Sequence, residues 1–295
     1  MRTLGPIRSA LFVPGNRPDR IDKAMASRAD AVIIDLEDGV PLSEKAVART
    51  IAVVKSHAAR KGMVLIRVNG MNTAYFEEDL VAVMGSGAGG LMVPKVEDQA
   101  SLQRLHDLMS AREARNKMEP MPVLALIESA KAVANTYRIA QASVEQPRSF
   151  RLVFGAADYT FDLGVDMTRD GHELAYPRAR LAVACRASGL LPPLDSPFML
   201  DLKDLQALEE DSLRAKKLGF GGKLCIHPNQ VDIVNRTFSP GPEEIRHAEA
   251  VISAFEEARG RGEGAIQLEG KLIDKPVVER ARQILQVARM VMRGD

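Results

Sequence analysis

Short apolar, β-branched runs alternate with amphipathic segments along almost the whole chain. The runs are RSALFVP (8–14), AVIIDLE (31–37), MVLIRVN (63–69), GLMVPKV (90–96), MPVLALIES (121–129), RLVFGAAD (151–158), PFMLDL (197–202) and KLCIHPN (223–229). Each is nearly continuous in hydrophobicity, which marks parallel strands covered on both faces. Between them lie segments with helical spacing, clearest at 43–61, 97–117 and 202–219. In the second, Leu102, Leu105, Leu108 and Met109 fall at three- and four-residue steps and predict one apolar stripe. Ser43 is the expected N-cap of the first segment, and Gly219 the expected stop of the third. Strand and helix repeated eight times, without a two-residue hairpin signal, predict an α/β fold, the (β/α)8 TIM barrel. A doubly wound open sheet is the competing arrangement; the strand count is what closure needs.

After the eighth run come a helical segment (242–262), a Gly-rich turn and a second stretch (264–285) that a barrel does not require. The expected division is a catalytic barrel over 1–240 and a C-terminal helical and lid extension over 241–295. Such a tail caps the barrel or packs on a neighbouring subunit.

Composition narrows the partners. A net charge of +1 gives no basic footprint for nucleic acid. No apolar run approaches the roughly 20 residues that span a bilayer. The first apolar stretch is interrupted by Pro14 and Arg17, so no signal peptide is expected. Cys185 and Cys225 form neither a disulfide framework nor a metal-ligand spacing, and a reducing cytoplasm is the expected setting. GSGAGG (85–90) and GFGG (219–222) each follow a helix and precede a strand. A phosphate-binding loop does the reverse, so both are expected at the barrel's bottom face.

Barrel chemistry sits at the C-terminal ends of strands. The polar residues ending the apolar runs are Asp35, Glu37 and Asp38; Arg67 and Asn69; Lys95 and Glu97; Glu128 and Ser129; Asp158; and His227 and Asn229. Adjacent parallel strands lie about 4.8 Å apart, so Glu128 and Asp158 are expected to approach each other. Two such carboxylates repel unless they share a proton or a cation. Oxygen ligands without cysteine or paired histidine favour a hard cation, Mg2+ or alternatively Mn2+. Asp35, Glu37 and Asp38 would hold its waters from outside. The competing role for these acids is ion pairing with barrel-mouth Arg or Lys, and Asp35 in particular is placed to pair with Arg67 or cap the next loop. Arg67 would grip a carboxylate or carbonyl of the substrate, or pair with Asp35 or Glu37. Lys95 ends a strand where a Schiff-base lysine would stand, but the acids around it favour an ion pair.

The strings RSALFVPGNRPDRIDKA, DAVIIDLEDGV, IRVNG, LMVPKVE, ALIESAKAV, GAADYTFDLG and CIHPNQV run in this order, and GKLIDKPVVERAR follows in the tail. Together they resemble the citrate lyase beta-subunit and malyl-CoA lyase family. The resemblance implies a metal-dependent TIM barrel, a homotrimer or hexamer, and Glu128 and Asp158 as metal ligands. It implies Arg67 as the substrate-binding arginine, and Arg20 and Lys23 as the basic residues facing coenzyme A. It also implies Asp274 as an acid/base in a neighbouring subunit's site. Arg20 and Lys23 are three apart and share a helix face.

The expected reaction is a retro-Claisen cleavage of a 3-hydroxyacyl-CoA thioester of malyl, citramalyl or citryl type to an acyl-CoA and an oxoacid. Backbone N–H groups at Gly155 and Ala156 are expected to help stabilise developing charge. Three alternatives stay open: hydrolysis of the thioester, aldol chemistry on free oxoacids, and a lyase subunit that needs an acyl carrier protein.

Overall fold

In a computed structural model, residues 3–59, 63–260, 265–268 and 270–294 are described. Eight parallel strands close into a barrel in sequence order. They are β1 (Ser9–Pro14), β2 (Ala31–Asp35), β3 (Met63–Arg67), β4 (Gly90–Val93), β5 (Val123–Ile127), β6 (Phe150–Phe154), β7 (Leu194–Asp195) and β8 (Gly222–Cys225). Closure comes from β1 against β8, with Ala10 opposite Leu224. The described helices up to residue 238 are α1 (Pro18–Met25), α2 (Lys45–Ala58), α3 (Phe76–Met84), α4 (Gln99–Asn116), α5 (Ala130–Val144), α6 (Ala156–Leu163), α7 (His172–Ala187), α8 (Leu205–Leu218) and α9 (Val231–Phe238). The fold is a (β/α)8 barrel.

The continuous apolar runs now have a physical reason. One buried cluster draws Ala10, Ile33, Leu65, Met92, Leu124, Val153, Leu194 and Leu224 from all eight strands, which only the lumen can bring together. Their chain neighbours Leu11, Val32, Ile34, Ile66, Leu91, Ala125 and Leu152 are also buried, on the opposite face of each strand under the helices. Both faces exclude water, so neither needs polar residues.

Side chains set several helix starts. Asp98 accepts the Ser101 amide at 2.8 Å to open α4, Ser129 accepts that of Ala132 at 3.1 Å to open α5, and Asp204 accepts that of Ala207 at 2.9 Å to open α8. Gly219 ends α8 at φ 104°, as its spacing predicts. Gly85 and its neighbours lead from α3 into β4, and Gly219–Gly222 lead from α8 into β8, both at the bottom face.

Four expectations are corrected. Ser43 lies in a 3-10 turn, Leu42–Glu44, and makes no cap bond for α2. Leu108 is 37% exposed, whereas Leu102, Leu105 and Met109 are fully buried. PFMLDL contains no strand; β7 is the two residues Leu194–Asp195 just before it. Asp158 is on the first turn of α6, not on β6. The ends expected at Lys61 and Gly262, and the Gly-rich turn around 261–264, lie outside the described residues.

Strand β7 has one register partner on β6 and two on β8. What anchors it is a closed ionic quartet on the outer face of the barrel. Arg178 of α7 donates to both oxygens of Asp195, at 3.0 and 2.9 Å, and to both of Asp211 of α8, at 2.9 and 3.0 Å. Lys223 of β8 donates to Asp195 and, at 2.6 Å, to Asp211. All four are buried. Burial opposes ionisation of Asp211, but Lys223 and Arg178 outweigh it and hold its carboxyl far below the usual range.

The chain divides into two compact units, Met1–Asn235 and Arg236–Asp295. The second contains α10 (Pro242–Gly260), β9 (Ile266–Leu268), β10 (Lys271–Ile273) and α11 (Lys275–Gly294), with β9 and β10 antiparallel. Ala248, Val251, Ile273, Val278 and Ala281 form its own core. Among the described residues no helix is long and apolar enough to cross a membrane.

Candidate active site

At the top of the barrel, β2 and β3 end side by side, with Asp35 in register with Arg67. The Asp35 carboxylate accepts Arg67 Nε at 2.6 Å and Nη2 at 2.7 Å, the Glu37 amide at 2.9 Å and the Gly39 amide at 2.8 Å. A Cβ at position 39 would stand 2.5 Å from Asp35 Oδ2, so the loop closes on its carboxylate only through glycine. Burial works against ionising Asp35, but Arg67 and the two amides hold its carboxyl below the ordinary value. Arg67 in turn lies 4.8 Å from the Phe12 ring centroid, in cation–π contact.

Glu37 points into a tighter place. Its Oε1 is 3.2 Å from Lys95 Nζ, and its Oε2 is 3.1 Å from Arg67 Nη1. That second contact lies outside hydrogen-bond geometry, and Oε2 has no hydrogen-bond partner among the described residues. Burial raises the Glu37 pKa, and the pull of Arg67 and Lys95 does not offset it. Asp38 is exposed. Lys45, which no sequence signal marked, donates from Nζ to the Leu36 carbonyl at 2.7 Å and the Glu37 carbonyl at 2.6 Å. It thereby fixes the backbone that carries the acids.

Glu128 follows β5 and is 4% exposed. Its Oε1 accepts the Lys95 amide at 2.7 Å. Lys95 reaches that position in a left-handed conformation, φ 55°, uncommon for a residue with a Cβ and concentrated at functional sites. Sequence spacing gave no sign of it. Burial, then the charges of Asp158 and Glu37, push the Glu128 carboxyl up to about 8. Asp158 is half-buried on α6. A Cβ on Gly155 would fall 2.6 Å from Glu128 Cβ and 2.7 Å from its Oε2. The missing side chain is therefore what seats the Glu128 carboxylate against the start of α6.

The donor set fits a hard dication. Burial and the charge of Asp158 both disfavour ionisation of Glu128, and a cation held by the two carboxylates would relieve it. Among the described residues no three His, Cys, Asp or Glu converge as a ready-made metal cage. A cation here would take two carboxylates and leave its other positions to water or substrate, which suits Mg2+.

Residues 8–228 match the HpcH/HpaI aldolase/citrate lyase family. The chain belongs to that family. It is 34% identical over 285 residues to the citrate lyase subunit beta of Leuconostoc mesenteroides subsp. cremoris, covering 95% of this chain and 93% of the relative. It is 33% identical over 309 residues to an L-malyl-CoA/beta-methylmalyl-CoA lyase of Cereibacter sphaeroides, covering 97% and 96%. The crystal structure of CitE from Mycobacterium tuberculosis in complex with magnesium, acetoacetate and coenzyme A superposes with a TM-score of 0.78 at 31% identity, covering 98% of this chain and 100% of that one.

Within this aldolase/citrate lyase barrel the remaining candidates fall as follows. The Gly155 amide donates to the Ile127 carbonyl at 3.1 Å, and the Ala156 amide to Ser196 Oγ at 3.0 Å. Both donors are taken, so neither is free to stabilise an oxyanion as the sequence suggested. Arg20 and Lys23 are exposed on α1, whose buried face is Ile21 and Ala24, and neither makes an ion pair among the described residues. Asn69 is turned to Asp79, which accepts its amide at 3.0 Å and its Nδ2 at 2.6 Å. His227 is a loop-ordering residue whose Nδ1 accepts the Asn229 amide at 3.3 Å. Asp274 belongs to the second unit and is half-buried, with the Val277 amide donating to its Oδ1 at 3.4 Å at the start of α11.

Proposed function

We propose that the protein is a Mg2+-dependent carbon–carbon lyase that splits a 3-hydroxyacyl-CoA of malyl, citramalyl or citryl type into an acyl-CoA and an oxoacid. The observation that carries this reading is the Glu128–Asp158 pair, with Glu128 pushed up to about 8 in a barrel mouth otherwise rich in acids. Glu128 and Asp158 would hold the cation, and Asp35, Glu37 and Asp38 are proposed to hold its waters from outside. When bound, Mg2+ supplies Lewis-acid stabilisation of charge on the oxoacid oxygen.

The chain's own groups do the rest. Arg67 has five N–H donors, of which Asp35 takes two in a fixed bidentate grip. Its Nη1 protons remain for a substrate carboxylate or carbonyl, and the grip holds the guanidinium so that no rotamer freedom is lost on binding. In the cleavage direction a base removes the hydroxyl proton and the carbinol carbon becomes the oxoacid carbonyl. The bond to the thioester α-carbon breaks, and the resulting enolate takes up a proton. Asp274 of a neighbouring chain is the proposed acid/base, in a homotrimer or hexamer, with 1–240 as catalytic barrel and 241–295 as the extension that delivers it. Arg20 and Lys23 are proposed to meet the phosphates of coenzyme A. Cys185 and Cys225 are free and buried, which suits a reducing cytoplasm.

Incubation with Mg2+ and a panel of 3-hydroxyacyl-CoA thioesters, followed by mass spectrometry, tests the reaction. An acyl-CoA together with an oxoacid is expected. Free coenzyme A without acyl-CoA would make the protein a thioesterase, and turnover only after adding an acyl carrier protein would make it a lyase subunit.

A further inference from the structure

We infer that Ser196 is a positioning residue for the Asp158 carboxylate, acting through the first turn of α6; this rests on Asp158 holding the cation as proposed above. Helix α6 starts without a side-chain cap at Gly155. Its first two backbone amides are instead tied to the strands on either side. The Gly155 amide reaches the end of β5 at Ile127, and the Ala156 amide reaches Ser196 Oγ, just past β7. Ser196 is 2% exposed, so the pair is shielded from competing water.

The seam between β6 and β7 makes this tie matter. Its ladder has a single register pair, Val153 with Leu194. The Ser196 hydroxyl is the next connection toward the barrel mouth. The residue before it, Asp195, is clamped by Arg178 and Lys223, so Ser196 projects from a fixed point. Asp158 is two residues beyond Ala156 on the same turn, about 3 Å along the helix axis. A shift of the first amide therefore moves the carboxylate relative to Glu128, which has an anchor of its own on the Lys95 amide. Removing the hydroxyl leaves the Ala156 N–H buried without an acceptor, and the turn relaxes to regain one.

The test is calorimetric titration of Mg2+ alone into the wild-type chain, Ser196→Ala, Ser196→Thr and Asp158→Ala. Ser196→Ala is expected to bind Mg2+ about 10- to 100-fold more weakly, the range for losing a partner that orients a metal ligand. Ser196→Thr, which keeps the hydroxyl, restores binding, and Asp158→Ala abolishes it. Wild-type affinity in Ser196→Ala beside loss in Asp158→Ala overturns the inference and leaves the metal site standing. Wild-type affinity in Asp158→Ala overturns the metal assignment itself. Should Ser196→Ala fail to fold, amide exchange in the wild-type chain decides: Mg2+ slows exchange at Ala156 but not at Leu105 of α4. Equal rates at Ala156 with and without Mg2+ contradict the inference.

Discussion

The barrel holds two clusters of buried carboxylates with opposite electrostatics. Between β7–β8 and α7–α8, Asp195 and Asp211 face Arg178 and Lys223, and every charge has a partner. Asp211 is held well below the usual carboxylate range there. At the mouth, Asp35 takes two of Arg67's five donors, Glu37 keeps an oxygen without a hydrogen-bond partner among the described residues, and Glu128 is pushed up to about 8. Equal depth thus gives opposite outcomes, decided by whether fixed cations come with the acids. The quartet is a finished structural joint. The mouth is short of positive charge, which marks it as the place for a cation from solution.

Substitution sharpens the contrast most. Lys223→Met leaves two buried carboxylates with Arg178 and, on Asp211, the more distant Arg214 at 3.5 Å, and is expected to cost about 3–5 kcal/mol in urea unfolding. Glu128→Gln, at similar depth, is expected to leave the Mg2+-free protein at least as stable at pH 8, because it removes a group whose charge is unfavourable there. Its lyase turnover should nevertheless fall about 10²- to 10³-fold. A Glu128→Gln protein as unstable as Lys223→Met would erase the distinction.

Gly155→Ala should come next. The new methyl overlaps the Glu128 carboxylate, which must move, at about 1–3 kcal/mol and with weaker Mg2+ binding. Unfolding and calorimetry on the same protein check both parts.

The smallest effect is in pH. Glu128 in the Mg2+-free protein keeps a proton between its ordinary value of 4.5 and about 8, which the unfolded chain has released. The folded state binds more protons, so this contribution to stability falls as pH rises through that window. Asp211 behaves oppositely: its lowered pKa gives stability that is present above 3.8 and lost as pH falls below it. Thermal melts against pH should show both slopes, with saturating Mg2+ flattening only the upper one.

Much of the barrel was legible in the sequence, for reasons the structure makes plain. Strands buried on both faces are apolar throughout, so seven of the eight runs coincide with strands within four residues at each end. β7 was misplaced because its Leu-Asp pair follows two prolines and offers a single apolar residue, Leu194, beside an acid held by ion pairs. PFMLDL imitates a strand, yet Leu200 and Leu202 are 45% and 38% exposed. Lys223 inside an apolar strand was the available sign of the quartet. At the site, strand ends pointed to Asp35, Arg67 and Glu128. The left-handed Lys95, the buried Lys45 and the Ser196 tie depend on backbone geometry and long-range contact, which residue spacing does not encode.

The central claim is that Glu128 and Asp158 form a Mg2+ site. Calorimetric titration of Mg2+ into wild-type, Glu128→Ala and Asp158→Ala proteins tests it most directly. Binding by the wild-type chain and its loss in both folded variants is the predicted result. Undiminished Mg2+ affinity in both variants would contradict it.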